Sequence, residues 1–143
     1  MTLTMFRGKI HRARVTEANL YYEGSITIDS DLLRASTLLP YEKVQVVNVN
    51  NGARLETYII PGEAGTGIVC MNGPAARLAA AGDEVVVIAY ADMTPEEARR
   101  HRPRVVLVDA DNRVKDVLTL DVALHPAALG ALPTDVPADV LTA

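Results

Sequence analysis

Each stretch of this chain that carries a helix-starting signal is stopped within a few residues by proline or glycine. Asp29 or Ser30 caps a segment through Leu32, Leu33 and Ala35 that must end before Pro40. Pro74 opens a short helix over Ala75 to Ala80, which Gly82 and Asp83 end. Thr94, Pro95 and Glu97 spell an N-cap, a first-turn proline and a capping-box glutamate for a helix that reaches about His101 before Pro103. None is long enough for the regular crossovers of a parallel α/β sheet, so strands must build the fold.

Strand signals fill the gaps. Val44 to Val49 and Ala53 to Ile60 are β-rich runs around Asn50, Asn51 and Gly52, a sequence that supplies the positive φ angles of a tight hairpin. The unbroken apolar run Val85 to Ala89, inside Glu84 to Ala91, predicts a strand buried on both faces or central to a closed barrel. From Met5 to Val15, Arg7, Lys9 and His11 fall every second position and share one cationic strand face. Leu20 to Ile28 reads as strand, bend at Gly24, strand; Pro61 to Gly67 as a loop; Ile68 to Met71, Arg104 to Ala110 and Val114 to Leu120 as further strands. The expected fold is mainly β: a small barrel with short helices, in a single domain over residues 1–120. The Ala- and Pro-rich segment 121–143 is expected to be loosely ordered.

Composition narrows the function classes. Fourteen Lys and Arg against eighteen Asp and Glu give a net charge of −4 with no contiguous basic stretch, which argues against a nucleic-acid partner. Aromatics make up 4% of the chain and Trp is absent, so there is no stacking platform for bases. Cys70 is the one cysteine, which excludes an intrachain disulfide and thiolate zinc clusters; its apolar neighbours mark it as a buried small hydrophobe. His11, His101 and His125 have no metal-ligand spacing, so no metal is expected. Gly62, Gly65 and Gly67 lack the Lys-Ser/Thr of a phosphate loop, and no Gly-x-Ser-x-Gly elbow occurs. The N-terminus holds no apolar run of signal-peptide or membrane-span length, so a cytoplasmic location without membrane contact is expected.

What remains is Tyr21-Tyr22-Glu23-Gly24-Ser25, with Lys9 and His11 upstream and Arg54, Thr57 and Tyr58 on the hairpin. A glycine before a serine reaches backbone conformations closed to other residues, which lets the serine hydroxyl approach the glycine carbonyl carbon for an N-to-O acyl shift. Period-two logic puts Arg54 and Tyr58 on one strand face and Thr57 on the other. A bulge, or a site assembled between subunits, would reconcile the three.

The chain resembles the pyruvoyl-dependent aspartate 1-decarboxylases of bacterial pantothenate synthesis. The resemblance is carried by Lys9-Ile10-His11-Arg12, Tyr22-Glu23-Gly24-Ser25, Ile28-Asp29, Asn51-Gly52-Ala53-Arg54, Thr57-Tyr58, Asn72-Gly73 with Ala75-Ala76, Gly82-Asp83 and Glu96-Glu97-Ala98-Arg99, in order from about Met5 to Asn112. It implies a double-psi β-barrel, a homotetramer with sites between subunits, and a proenzyme cut between Gly24 and Ser25. Ser25 becomes a pyruvoyl cofactor that forms a Schiff base with L-aspartate and yields β-alanine and carbon dioxide. It also implies Thr57 in processing, Tyr58 as proton donor, and Lys9, Arg54, Thr57, Gly73, Pro74 and Ala75 around the substrate. His11, Tyr22 and Asn72 line the pocket. Some relatives need a maturation factor. Tyr21 stands where His is common, beside the cleavage site. Pro74 interrupts the usual Asn-Gly-Ala-Ala-Ala, removing an N–H that could face the substrate. The alternatives are a non-catalytic barrel module with an uncut Gly24–Ser25 bond and a cationic face for an acidic partner, or a decarboxylase of another amino acid.

Overall fold

Two long strands carry the centre of the fold, seen in a computed structural model that describes residues 1–21 and 24–122 of the 143. They are β1 (Leu3–Arg14) and β7 (Glu84–Met93), paired antiparallel from Leu3↔Met93 to Arg14↔Glu84. Around them lie β2 (Glu17–Asn19), β3 (Ser25–Asp29), β4 (Lys43–Asn48), β5 (Arg54–Gly62), β6 (Val69–Asn72), β8 (Arg104–Val108) and β9 (Val114–Thr119). Hydrogen bonds link them in the order β2-β6-β3-β5-β4-β7-β1-β8-β9 without closing the ladder. The chain is mainly β and barrel-like, and among the described residues its helices are short, as the sequence requires. Two are α1 (Ser30–Ser36) and α2 (Pro95–Arg100). Among the described residues no helix is long and apolar enough to cross a membrane.

The core is drawn from the strand interiors. Ile10, Ile26, Ile28, Val44, Val46, Ile59, Met71 and Val85 are all essentially inaccessible, which is where the apolar area that stabilises a chain of this size goes. The five residues from Val85 to Ala89 are buried in succession, as their unbroken hydrophobic run predicts. Central position explains it: β7 has β1 on one edge and β4 on the other.

Several local expectations shift. The cationic face of β1 is an interior one: Lys9 is 2% exposed and His11 6%, and Arg7 is half-buried. Register slips at Phe6/Gly8 and Ile10/Ala13 bend β1 inward between β7 and β8. No strand starts at Leu20, against expectation: β2 ends at Asn19, and Leu20 and Tyr21 form a turn in which the Asn19 carboxamide oxygen accepts the Tyr21 N–H at 3.2 Å. The hairpin between β4 and β5 is longer than a two-residue turn. Asn48 Oδ1 accepts the Asn50 N–H at 2.9 Å, and of the loop residues only Gly52 has positive φ, at 76°. Pro61 and Gly62 belong to β5, paired parallel to β3, so the loop starts later than expected. The helix expected over Ala75 to Ala80 is instead a 3-10 helix, Gly73–Arg77, closed by Leu78 N–H to Ala75 O at 3.1 Å.

Candidate functional site

β5 changes partner midway, and the change sets the site. Lys43↔Tyr58 is the last antiparallel pair with β4, and Ile26↔Ile59 the first parallel pair with β3. Tyr58 therefore stands where the strand passes from one neighbour to the other, one residue beyond Thr57 and beside the start of β3. On its other edge β3 pairs antiparallel with β6, bringing Ser25 opposite Asn72 and Thr27 opposite Cys70.

Ser25 is buried, with 4% of its surface exposed. The Asn72 amide donates to Ser25 Oγ at 2.9 Å and to Thr27 Oγ1 at 3.0 Å, while the Cys70 thiol donates to Asn72 Oδ1 at 3.2 Å. Burial first, and then the Glu17 carboxylate, push the Cys70 thiol up from its ordinary value, so it keeps its proton at neutral pH. These four side chains form one hydrogen-bonded set because residues two apart on a strand share a face, Ser25 with Thr27 and Cys70 with Asn72. That periodicity was available in the sequence; the pairing of β3 with β6 was not. Thr27 and Cys70 are the participants that sequence reasoning missed.

A cleft lies on each side of the Gly24–Ser25 junction. The larger, about 740 Å³, is lined by Glu17, Ser25, Tyr58, Cys70 and Asn72 among others. The smaller, about 370 Å³, is lined by Gly24, Thr57, Tyr58, Pro74 and Ala75 with their neighbours. Tyr58 borders both. Thr57 and Tyr58 both border the smaller cleft at the junction, without a bulge in the β4–β5 register. Pro74 does more than remove an N–H: its ring packs at the junction, with Cδ 3.5 Å from where a Cβ on Gly24 would stand. Buried Gly73 follows Asn72 directly and opens the 3-10 turn.

Other predicted site residues are elsewhere in this chain. Lys9 lies in β1 with its ammonium 5.7 Å from the Phe6 ring centroid, and His11 follows on the same strand, opposite Leu107 of β8. Arg54 begins β5 and donates to Gln45 Oε1 at 3.3 Å, which also accepts the Tyr90 hydroxyl at 3.0 Å. Neither Lys9, His11 nor Arg54 lines either cleft at the junction. Tyr22 lies outside the described residues, as do His125 and the segment from 123 onward. Among the described residues no three His, Cys, Asp or Glu side chains group as metal ligands.

A mainly β, barrel-like frame, with a buried serine and two clefts at the point where β5 exchanges β4 for β3, defines the class of small β protein to which this chain belongs. More particularly, the chain belongs to the aspartate decarboxylase family, whose model matches residues 1–115. It is 73% identical over 123 residues to the aspartate 1-decarboxylase of Salinibacter ruber, covering 86% of this chain and 84% of the relative. Over 126 residues it is 60% identical to that of Chloroherpeton thalassium, covering 88% of this chain and 93% of the relative. The aspartate 1-decarboxylase of Carboxydothermus hydrogenoformans is 64% identical over 114 residues, or 80% of this chain and 90% of the relative.

Proposed function

We propose that this chain is an aspartate 1-decarboxylase that cuts itself between Gly24 and Ser25, and that it converts L-aspartate to β-alanine and carbon dioxide in the cytoplasm, for pantothenate and coenzyme A. The observation that carries the reading is the Gly24–Ser25 junction itself: a buried hydroxyl held by Asn72, with a cleft on each side and Thr57 and Tyr58 at its borders.

In processing, Ser25 Oγ attacks the Gly24 carbonyl carbon, the C–N bond breaks, and the nitrogen takes up the proton, leaving an ester and a free amine. Loss of the Ser25 Cα proton then expels Gly24 as a carboxylate, and water replaces the nitrogen of the resulting dehydroalanine, releasing ammonia. Thr57, which shares the smaller cleft with Gly24, is suited to donate to the oxyanion formed in the first step. The residues present fit a carbonyl group at position 25, since the Asn72 amide already directs an N–H there. A pyruvoyl group at that position supplies an electron sink for the departing α-carboxylate.

The remaining work falls to the chain's own residues. Tyr58 is the proposed donor of the proton to the carbon that loses carbon dioxide, a reading supported by its bordering both clefts. A dicarboxylate substrate needs cations, and Arg54 offers a bidentate fork while Lys9 offers a point charge. Because both lie away from the junction in one chain, the reading includes a homo-oligomer, a tetramer, in which a neighbouring copy completes the site.

Denaturing mass spectrometry of aged protein, with any maturation factor of the native host restored, is expected to show fragment 1–24 and a larger piece blocked to N-terminal sequencing. An intact chain would favour the binding module. Carbon dioxide release from L-aspartate, measured beside L-glutamate, tests the substrate, because one more methylene displaces a carboxylate from its cation.

A further inference from the structure

Asn72 has a choice that its two hydroxyl neighbours cannot make for it. A carboxamide presents an oxygen along one edge and an N–H₂ along the other, and a half-turn about its last torsion exchanges them. Ser25 and Thr27 hydroxyls both donate and accept, so each satisfies either orientation. The consequences for Ser25 differ. With oxygen facing it, Ser25 spends its proton on Asn72. With N–H₂ facing it, Oγ accepts, and the O–H is left to point away from Asn72, as a nucleophile that must shed that proton requires. The third neighbour is not ambivalent. A thiol is a donor and a poor acceptor, and Cys70 Sγ lies 3.2 Å from Asn72 Oδ1; its other acceptor, Met71 O, is at 4.0 Å.

We propose that Cys70 is a positioning residue for the reaction of Ser25: by donating its thiol proton to Asn72 Oδ1 it fixes the amide with its N–H₂ edge toward Ser25 Oγ. Glu17 and burial reinforce the role, since both keep the thiol protonated, and a thiolate would instead attract the N–H₂ edge and reverse the amide. The inference rests on Ser25 being the processing nucleophile.

The experiment follows conversion of freshly purified full-length chain into its two fragments by denaturing mass spectrometry, for wild type, Cys70→Val and Cys70→Ser, with melting temperatures measured alongside. Valine keeps the site apolar, at somewhat greater volume, and loses the donor; serine keeps a donor and loses volume. The expected order is wild type, then Cys70→Ser within about threefold, then Cys70→Val slower by roughly three- to tenfold, the range of one hydrogen bond. A purely packing role gives the reverse order, with valine close to wild type and serine the more damaged in melting temperature and rate. Equal rates for wild type and Cys70→Val, or Cys70→Ser as slow as Cys70→Val, overturn the proposal. If wild type itself stays whole, the reading of Ser25 falls first; if wild type and Cys70→Val are cut alike, only Cys70 is removed.

Discussion

The two ends of β3 are four residues apart and are held in opposite ways. At one end, Ser25 Oγ rests on a single rotatable carboxamide beside two open clefts. At the other, Asp29 is 1% exposed, and its carboxylate accepts the backbone N–H groups of Asp31 at 2.8 Å, Gly65 at 3.1 Å and Gly67 at 2.8 Å. The Arg113 guanidinium lies 4.0 Å away. Backbone donors belong to a capped helix and a folded loop and cannot rotate away. The difference shows a division of labour along one strand: a pinned end fixes where the strand lies, so that the adaptable end needs only side chains to aim one hydroxyl.

The most severe way to break this comparison acts on the adaptable end. Ser25→Ala is expected to abolish cleavage while leaving the melting temperature close to that of uncleaved wild type, since little packing is lost. Thr57→Val should leave an uncleaved chain, slowed about a hundredfold or more if its hydroxyl serves the oxyanion; full cleavage removes Thr57 from the scheme. Mass spectrometry reads both.

At the pinned end the expected damage is to stability. Asp29→Ala strands three backbone donors and should lower the unfolding free energy by about 4 kcal/mol, seen as a fall in the urea midpoint. A loss under about 1 kcal/mol would show that the carboxylate does not pin β3. Gly67→Ala sharpens the same point through the loop alone. Gly67 has φ of 72°, and an added Cβ would meet the Asp111 carbonyl oxygen at 2.5 Å, so a loss of about 2 kcal/mol is expected. Near-neutral stability would mean that the loop shifts without disturbing Asp29.

The smallest effect contrasts Asp29 with a carboxylate nearer the surface. Burial acts to raise the Glu42 carboxyl, but the Arg7 hydrogen bond, the Leu39 N–H and the Arg7 charge outweigh it and hold it below the ordinary glutamate range. A carboxyl lowered in the folded state adds stability that is fully present above its unfolded value and is lost as pH falls through its folded one. Wild type should therefore lose slightly more stability than Glu42→Gln between mildly acidic pH and strong acid, in parallel urea titrations. Identical slopes would mean that Arg7 and Glu42 are not coupled.

Local chemistry was legible in the sequence, and long-range pairing was not. The Asp29 cap and the Thr94–Glu97 capping box announce α1 and α2 because donors and acceptors lie within three residues of each other. The Val85 to Ala89 run announces a central strand because hydrophobicity alone requires it. By contrast, the burial of Lys9 depends on β8 pairing parallel to β1, across almost a hundred residues. Thr57 and Tyr58 reach one junction because β5 trades β4 for β3 between Tyr58 and Ile59, which no period of two can announce. Cys70 reads in sequence as filler; its bond to Asn72 lies within β6, and only the register of β6 against β3 brings that pair to Ser25.

One consequence concerns β1, which is bonded along both edges, to β7 and to β8. A molecule nicked after residue 24 is two polypeptides in one body, and neither can leave without tearing the middle out of the sheet. Its melting then separates one more chain per subunit, so by mass action the transition temperature of nicked material should climb more steeply with protein concentration than that of the unnicked chain.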